Sequence, residues 1–187
     1  MANANATKIT TGRVRLSYAN LFHPRSINGG PEKYSVTLLI RKDDKKTLAK
    51  IRSAIEAATE LAKEKIKKFP AKPATTIHDG DGDTPNGNPY GEECEGCYVM
   101  AVSSTKKPTI VDRDKAPIVD EDEVYSGCYA RAVLNFYGYD AQGKKGISAG
   151  LNGIMKLADG ERLSGGGVTD EDWDDDFDDE DEDAIFK

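Results

Sequence analysis

The sequence predicts one mainly β domain with a single inserted helix (α+β), followed by an acidic C-terminal segment. Its 187 residues suit one ordinary globular domain. Short segments that alternate apolar and polar residues predict strands, and one stretch with apolar residues every three or four positions predicts a helix. Charge divides the chain, because residues 168–187 contain 12 acidic side chains and one lysine, whereas the residues before them contain 25 basic and 21 acidic ones. We expect a folded domain at 1–165 and a disordered acidic tail at 166–187.

The segment 11–18 predicts the first half-buried strand because its residues alternate in character. Val14, Leu16 and Tyr18 share the side expected to face the core. Arg13 and Arg15 lie on the other side and would face solvent.

A loop and a second strand follow. Residues 21–33 contain Pro, Asn and Gly in close succession, and we expect a loop there that carries Phe22 and Arg25. Residues 33–41 alternate again and predict a strand. Its outward positions include Lys33 and Arg41.

The clearest helical pattern begins after Asp43 and Asp44 and runs to about Lys68. Two prolines then end the helix, and residues 75–95 form a long polar connection rich in Gly, Asp and Pro. The apolar side of the helix contains Leu48, Ile51, Ile55, Ala58, Ala62 and Ile66.

Extended structure resumes in the segments 97–112, 125–140 and 146–160. The turns associated with these segments carry Lys106, Lys107, Lys144 and Lys145. About five antiparallel strands with one helix favour a small closed barrel, since closure removes exposed sheet edges. We predict a five-stranded antiparallel barrel of the OB type; the order of elements alone also fits another α+β sheet, so this choice rests partly on the family resemblance given below.

The strand after residue 128 carries the most informative surface. Its period of two separates a small apolar side, expected in the core, from a side on which aromatic rings alternate with polar groups. That second side suits unpaired bases, since rings stack on any base and cations hold phosphates. The alternative is that the tyrosines are half-buried packing residues. The second side contains Tyr129, Arg131, Val133, Asn135, Tyr137 and Tyr139.

The acidic tail follows three glycines and contains aromatic side chains among its carboxylates. One interpretation is a solubilising segment. The interpretation that we favour is a mimic of the nucleic acid backbone, which occupies the basic groove without DNA and contacts other proteins when DNA displaces it. Its partner-binding residues would be Trp173, Phe177, Asp181, Glu182, Asp183, Ile185 and Phe186.

Body and tail together resemble the single-stranded DNA-binding proteins of tailed bacteriophages. The resemblance rests on YARAVLNFYGYD, on GISAGLNGIMKLADGERLSGGG and on the ending DEDAIFK. It implies an OB fold that coats single-stranded DNA during phage replication, recombination and repair, with tail contacts to replication or recombination proteins. It also implies a groove lined by Tyr129, Arg131, Tyr137 and Tyr139, with Phe186 as the anchoring aromatic of the tail.

Metal and catalytic patterns are weak. Cys94 and Cys97 could complete a zinc site with Cys128 and His78, but the last two would come singly from distant segments. Asp79, Asp81 and Asp83 resemble the start of a calcium loop that lacks its glycine and its final glutamate. We predict no cofactor and no enzymatic activity, with a magnesium-dependent nuclease as a remote alternative.

The remaining features set the cellular context. Neither a membrane-spanning apolar run nor a signal-peptide core is present, and three cysteines give no disulfide framework, so we expect a cytosolic protein. The resemblance implies that this is the cytoplasm of the bacterial host. A homodimer is compatible with the sequence. The main alternative function is a protein-interaction module or DNA-mimic inhibitor that works through its tail.

Overall fold

The strands close into a barrel in a computed structural model, which describes residues 4–26 and 29–163. One long helix, α1 (Lys45–Lys65), accompanies them, and short 3-10 turns occupy Ala4–Thr7, Glu92–Cys94 and Glu121–Glu123. The strands are β1 (Lys8–Thr10), β2 (Val14–Arg25), β3 (Lys33–Arg41), β4 (Ile77–Asp79), β5 (Cys97–Ser104), β6 (Thr109–Val111), β7 (Tyr129–Ala141) and β8 (Lys144–Ala158).

Five of these strands form a closed ring in the order β2, β3, β5, β8, β7 and back to β2. The neighbours are antiparallel except β5 and β8, which run parallel and meet at Ser103 and Gly150. β1 extends the sheet beside β7, β4 beside β5, and β6 beside β8. This connectivity confirms the predicted OB-type barrel.

The core fills the barrel with alternate residues of each strand. In β7 the predicted small apolar side, Ala130, Ala132, Leu134 and Phe136, is buried, whereas the residues between them are partly exposed or exposed. α1 contributes Ile51, Ala54 and Ala58 to the same cluster.

The helix begins as predicted, because the Asp44 carboxylate accepts a hydrogen bond from the Thr47 amide and caps the first turn. It ends at Lys65, earlier than expected, since Ile66 has an extended backbone. Its C-terminal end packs on β7 at Gly138, where a Cβ atom would clash with the Ala62 Cβ. Among the described residues, no helix is long and apolar enough to cross a membrane.

Three local predictions were wrong. β2 continues to Arg25 through the segment expected to be a loop, because register shifts between Ser17 and Asn20, and again before Arg25, let the chain bend and keep pairing with β3. The same irregularity turns Tyr18 outward, so that it is 70% exposed. The segment 97–112 forms two strands, of which the second pairs with β8.

Candidate nucleic-acid interface

The outward side of β3 and β5 forms a ladder of facing residues that changes character along the strands. At one end it is small and polar, with Ser35 opposite Ser103 and Thr37 opposite Ala101. It then becomes apolar, with Leu39 opposite Val99. The last pair is Arg41 opposite Cys97. The ladder therefore places a polar surface, an apolar cluster and a cationic pocket in succession on one face of the barrel.

The polar end of this ladder forms the floor of a groove of about 700 Å³, here called the barrel groove. Small side chains on β3 and β5 leave the sheet surface open to a flat ligand. OB folds bind oligonucleotides on this face of the second and third barrel strands. The groove is lined by Tyr18, Asn20, Arg25, Ser35, Thr37, Thr76, Ala101, Ser103 and Ser148, among others.

Tyr18 is the exposed aromatic residue of this groove. Its backbone φ is 47°, in the left-handed region that is costly for a residue with a Cβ. Strain of this kind persists where the surrounding structure enforces it, and it is frequent at ligand sites. The side chain that results is 70% exposed and free to stack.

The predicted tyrosines near the end of β7 continue the groove. Tyr137 pairs in register with Ser148, which lines the groove, and Tyr139 pairs with Gly146. They are 43% and 36% exposed, so neither ring is a core residue. Asn135 lies beside Gly150, where a Cβ would meet its amide group. Tyr137 is therefore next to the groove across Ser148, and Asn135 and Tyr139 flank it on the same side of β7.

The cationic end of the ladder forms a separate pocket of about 490 Å³, here called the arginine pocket. Its floor includes Tyr129, and the Arg13 and Arg15 guanidinium carbons lie 4.2 and 5.8 Å from the centroid of that ring. Arg41 also lines it and donates two hydrogen bonds to Asp43, which lower the pKa of the Asp43 carboxyl. The pocket therefore gathers three predicted arginines around one predicted tyrosine.

A segment at 159–163, here called the C-terminal strap, crosses this face after β8. The Tyr125 hydroxyl accepts a hydrogen bond from the Gly160 amide and donates one to the Gly160 carbonyl, and the Arg162 guanidinium lies 4.2 Å from the Tyr125 ring centroid. Arg15 donates to the Glu161 carbonyl oxygen at 2.7 Å. Leu163, the last described residue, packs on the apolar cluster of the ladder. The chain therefore leaves the described region between the barrel groove and the arginine pocket.

Of the other predicted contact residues, Arg25 lines the barrel groove, and the rest are dispersed. Arg131 donates to the Thr11 carbonyl and lines a cavity next to β1, away from the groove. The Lys107 ammonium lies 5.6 Å from the ring centroid of Phe22, which is partly buried against the core. Arg25 and Lys33 face each other, both exposed, at the open ends of β2 and β3. Lys106 lies in the bend after β5, whereas Lys144 and Lys145, predicted in a turn, are the first residues of β8, and Lys145 donates to the Lys67 carbonyl.

The structure does not bring all three cysteines of the possible zinc site together. Cys128 belongs to the main core, whereas Cys94 lies in the smaller cluster under Leu163. No group of three potential metal ligands occurs within residues 4–26 and 29–163. Burial raises the pKa of all three thiols, that of Cys94 to about 11, which disfavours the thiolates that zinc requires. The predicted tail residues, Trp173 to Phe186, lie outside the described residues.

Sequence reasoning missed Tyr18 and the small polar floor of the groove. Period-two alternation places Tyr18 inward, and the bulge that reverses it has no glycine or proline to announce it. Ser35 and Thr37 gave a usable signal, since small polar residues on the outward side of a strand leave room for a ligand. The predicted contacts were charged and aromatic residues together with Asn135, and they included no small hydroxyl side chain.

Comparison with known proteins assigns the chain to a family. The family model described as "Enterobacter phage Enc34, ssDNA-binding protein" matches residues 7–185. A curated relative, putative protein p50 of Acyrthosiphon pisum secondary endosymbiont phage 1, is 33% identical over 168 residues, which cover 86% of this chain and 89% of the relative.

Solved structures agree with that assignment. The single-stranded DNA-binding protein of bacteriophage Enc34 in complex with ssDNA has a TM-score of 0.72 at 29% identity, over 85% of this chain and 90% of that one. A C-terminal truncation of the same protein gives 0.71 at 28% identity, over 84% and 90%. The single-stranded DNA-binding protein gp2.5 of bacteriophage T7 gives 0.58 at 14% identity, over 92% and 95%, a likeness of fold alone.

Proposed function

The chain belongs to the family of phage single-stranded DNA-binding proteins described from Enterobacter phage Enc34, and from this premise we propose that it binds single-stranded DNA in the barrel groove without strong sequence preference. The observation that carries the proposal is the groove itself, with a polar floor on β3 and β5 and the exposed Tyr18 ring in its lining, next to the exposed Tyr137 and Tyr139 rings of β7. Rings stack on every base, at ~1–3 kcal/mol per base, and small hydroxyl side chains admit the strand without reading its sequence.

The arginine pocket extends the same surface for phosphate binding. Arg13 is stacked on Tyr129 and therefore held in place, which lowers the entropy cost of a bidentate contact with phosphate. Arg15 also lies near this ring, but its Nε and Nη2 atoms donate to the Gly127 and Glu161 carbonyl oxygens, so its contribution should be smaller. Arg41 shares its guanidinium with Asp43, so we expect a smaller contribution from it. Affinity should fall steeply with salt, because each phosphate contact releases bound counterions.

A pair of matched substitutions tests the groove. Ser35→Glu places a carboxylate on the groove floor, where it would repel phosphates, whereas Ser53→Glu adds the same charge on an exposed position of α1. We expect Ser35→Glu to weaken binding of a labelled oligo-dT by about tenfold or more and Ser53→Glu to change it by less than about twofold. Equal affinities of the two variants would place the DNA elsewhere.

We propose, second, that the acidic tail competes with DNA for this face. Support comes from the position of Leu163 on the apolar cluster between the groove and the arginine pocket. Tethering there gives the twelve carboxylates after Gly167 a high effective concentration beside the phosphate-binding arginines. The division into a domain at 1–165 and a tail at 166–187 is part of this proposal.

Trp173 tests the competition directly, since it is the one tryptophan of the chain and lies in the tail. We expect its fluorescence to shift to the red, and acrylamide quenching to increase, when saturating oligo-dT displaces the tail. High salt without DNA should produce a similar change, because it screens the same attraction. Identical quenching of the free and the DNA-saturated protein would refute the competition.

The displaced tail would then be free to recruit replication or recombination proteins through the aromatic residues Trp173, Phe177 and Phe186. In this account the protein acts without catalysis, in the cytoplasm of the bacterial host, on strands exposed during phage replication, recombination and repair. A pull-down of host and phage replication proteins with the full chain, in the presence and absence of oligo-dT, tests it. DNA should increase capture, and removal of the tail should abolish it.

A further inference from the structure

The positive charge of the body is concentrated outside the barrel strands. Residues 45–72 carry nine Lys and Arg against three Glu, a net charge of +6. Residues 1–167 carry 25 basic against 21 acidic side chains, so the remainder of the body has 16 against 18 and a net charge of −2. The helix and the segment after it therefore form the main electropositive surface of the body.

Five lysines of this surface and two of β8 follow the end of α1 and the hairpin between β7 and β8, which meet there. Lys145 donates a hydrogen bond to the Lys67 carbonyl at 2.6 Å, which holds the hairpin against the segment that follows the helix. Within the described parts of the chain, Lys63 is the one lysine of this group with an ion pair, to Glu60. The group, here called the lysine patch, consists of Lys63, Lys65, Lys67, Lys68, Lys72, Lys144 and Lys145.

The lysine patch is continuous with the barrel groove. The Ile147 amide donates to the Ala74 carbonyl, so the chain after Lys72 runs beside β8. Two residues later Thr76 lines the groove and donates to the Ala101 carbonyl. Five residues from Lys72 to Thr76 span at most ~17 Å, so the patch begins within a few nucleotides of the groove.

The hairpin of β7 and β8 joins the two surfaces at its edge. Tyr137 and Tyr139 lie on the groove side of β7, whereas Gly138 between them faces the opposite side and packs against Ala62 of α1 and Phe69 after it. The Tyr139 hydroxyl lies next to Gly146 and the Ala74 carbonyl, at the edge where the chain from Lys72 arrives. A strand that leaves the groove past Tyr139 and this edge therefore reaches the lysine patch next.

We infer that the lysine patch is a second phosphate-binding segment, which holds single-stranded DNA after it has passed through the barrel groove. This inference rests on the proposed function and extends it. Lysine ammonium groups act as point charges that recognise phosphate without reading bases. The footprint would then lie toward the long end of the ~4–16 nucleotides found for OB folds.

The test compares two triple variants of equal charge on two lengths of oligo-dT. Lys65→Gln, Lys67→Gln and Lys72→Gln neutralise the patch and spare Lys145, which supports the hairpin. The control, Lys46→Gln, Arg52→Gln and Arg113→Gln, removes three exposed charges elsewhere. Circular dichroism melts verify that both variants of the full chain are folded.

We expect the patch variant to bind a 25-nucleotide strand about tenfold more weakly and a 6-nucleotide strand within about twofold of the wild type. Its slope of log affinity against log salt on the long strand should fall by about 2, since single strands contribute ~0.7 per phosphate. The control should change neither quantity much. Equal losses for both variants, or for both lengths, would overturn the inference.

Two further outcomes separate failure of the inference from failure of the proposed function. If the patch variant binds both strands more tightly than the wild type, the patch holds the acidic tail instead of DNA, and the inference is wrong. If the wild type binds neither length, the proposed function fails, and the inference fails with it.

Discussion

Among single residues, Tyr18 allows the most specific prediction. Its exposed ring depends on a left-handed backbone, which costs a residue with a Cβ ~1–2 kcal/mol. Tyr18→Gly removes both the ring and that cost. We expect the melting temperature to stay equal or rise while affinity for oligo-dT falls by roughly 5- to 150-fold, the equivalent of one lost stacking contact.

Tyr18→Phe is the matched control, because it keeps the ring and the backbone strain. It should bind like the wild type. Wild-type affinity of Tyr18→Gly would show that the strained residue serves the fold alone.

The buried thiol of Cys94 predicts that the stability of the folded protein falls at high pH. Burial raises the pKa of the Cys94 thiol to about 11, so the folded state favours the protonated form. Its stabilising contribution is complete below the ordinary thiol pKa and is lost as the pH rises toward 11. We expect iodoacetamide at pH 8 to alkylate native Cys94 roughly a hundredfold more slowly than the unfolded chain, as measured by mass spectrometry. Comparable rates would contradict the buried position.

Among the secondary-structure elements, β7 shows which features of a strand could be predicted from the sequence and which could not. Its alternation was predicted residue by residue, because both faces of a paired strand follow the period of two. The predicted grouping of its outward residues was too simple. The strand has 13 residues that rise ~3.3 Å each while winding around a barrel, so Tyr129 faces the arginine pocket and Tyr137 the groove.

The contact between α1 and β7 predicts a local limit on side-chain size. A Cβ at Gly138 would clash with Ala62, so Gly138→Ala should lower the stability by about 1–3 kcal/mol. That corresponds to a melting temperature roughly 3–10 °C lower. Gly82→Ala is the control, since its Cβ would meet only the Asp79 carbonyl oxygen at 3.5 Å. Equal melting temperatures would show that the helix does not press on the strand there.

For the whole molecule, the fold class followed from sequence because closure of five strands is one of few ways to remove sheet edges. The positions of individual site residues did not follow, because they depend on bulges and on the strap. Arg15 was predicted as a phosphate contact, yet its guanidinium also holds the Glu161 carbonyl. Arg15 and Glu161 are more than a hundred positions apart in the sequence, and local sequence patterns do not predict contacts between such distant residues.

The opposite net charges of the tail and the body predict how the tail affects DNA binding. An acidic tail of net −11 (residues 168–187) is attached to a body of net +4 (residues 1–167), and the chain leaves the described region between the barrel groove and the arginine pocket. The tail should therefore weaken DNA binding most at low salt, where the attraction is least screened.

The most direct measurement is a fluorescence anisotropy titration of labelled oligo-dT with the full chain and with the chain ending at Gly167, at low and moderate salt, with a duplex control. We expect both proteins to bind the single strand in preference to the duplex, and the truncated chain to bind it more tightly. The difference in affinity between the two proteins should shrink as the salt concentration increases. Absence of binding by both proteins would contradict the DNA-binding function, and equal or weaker binding after truncation would contradict the competing tail.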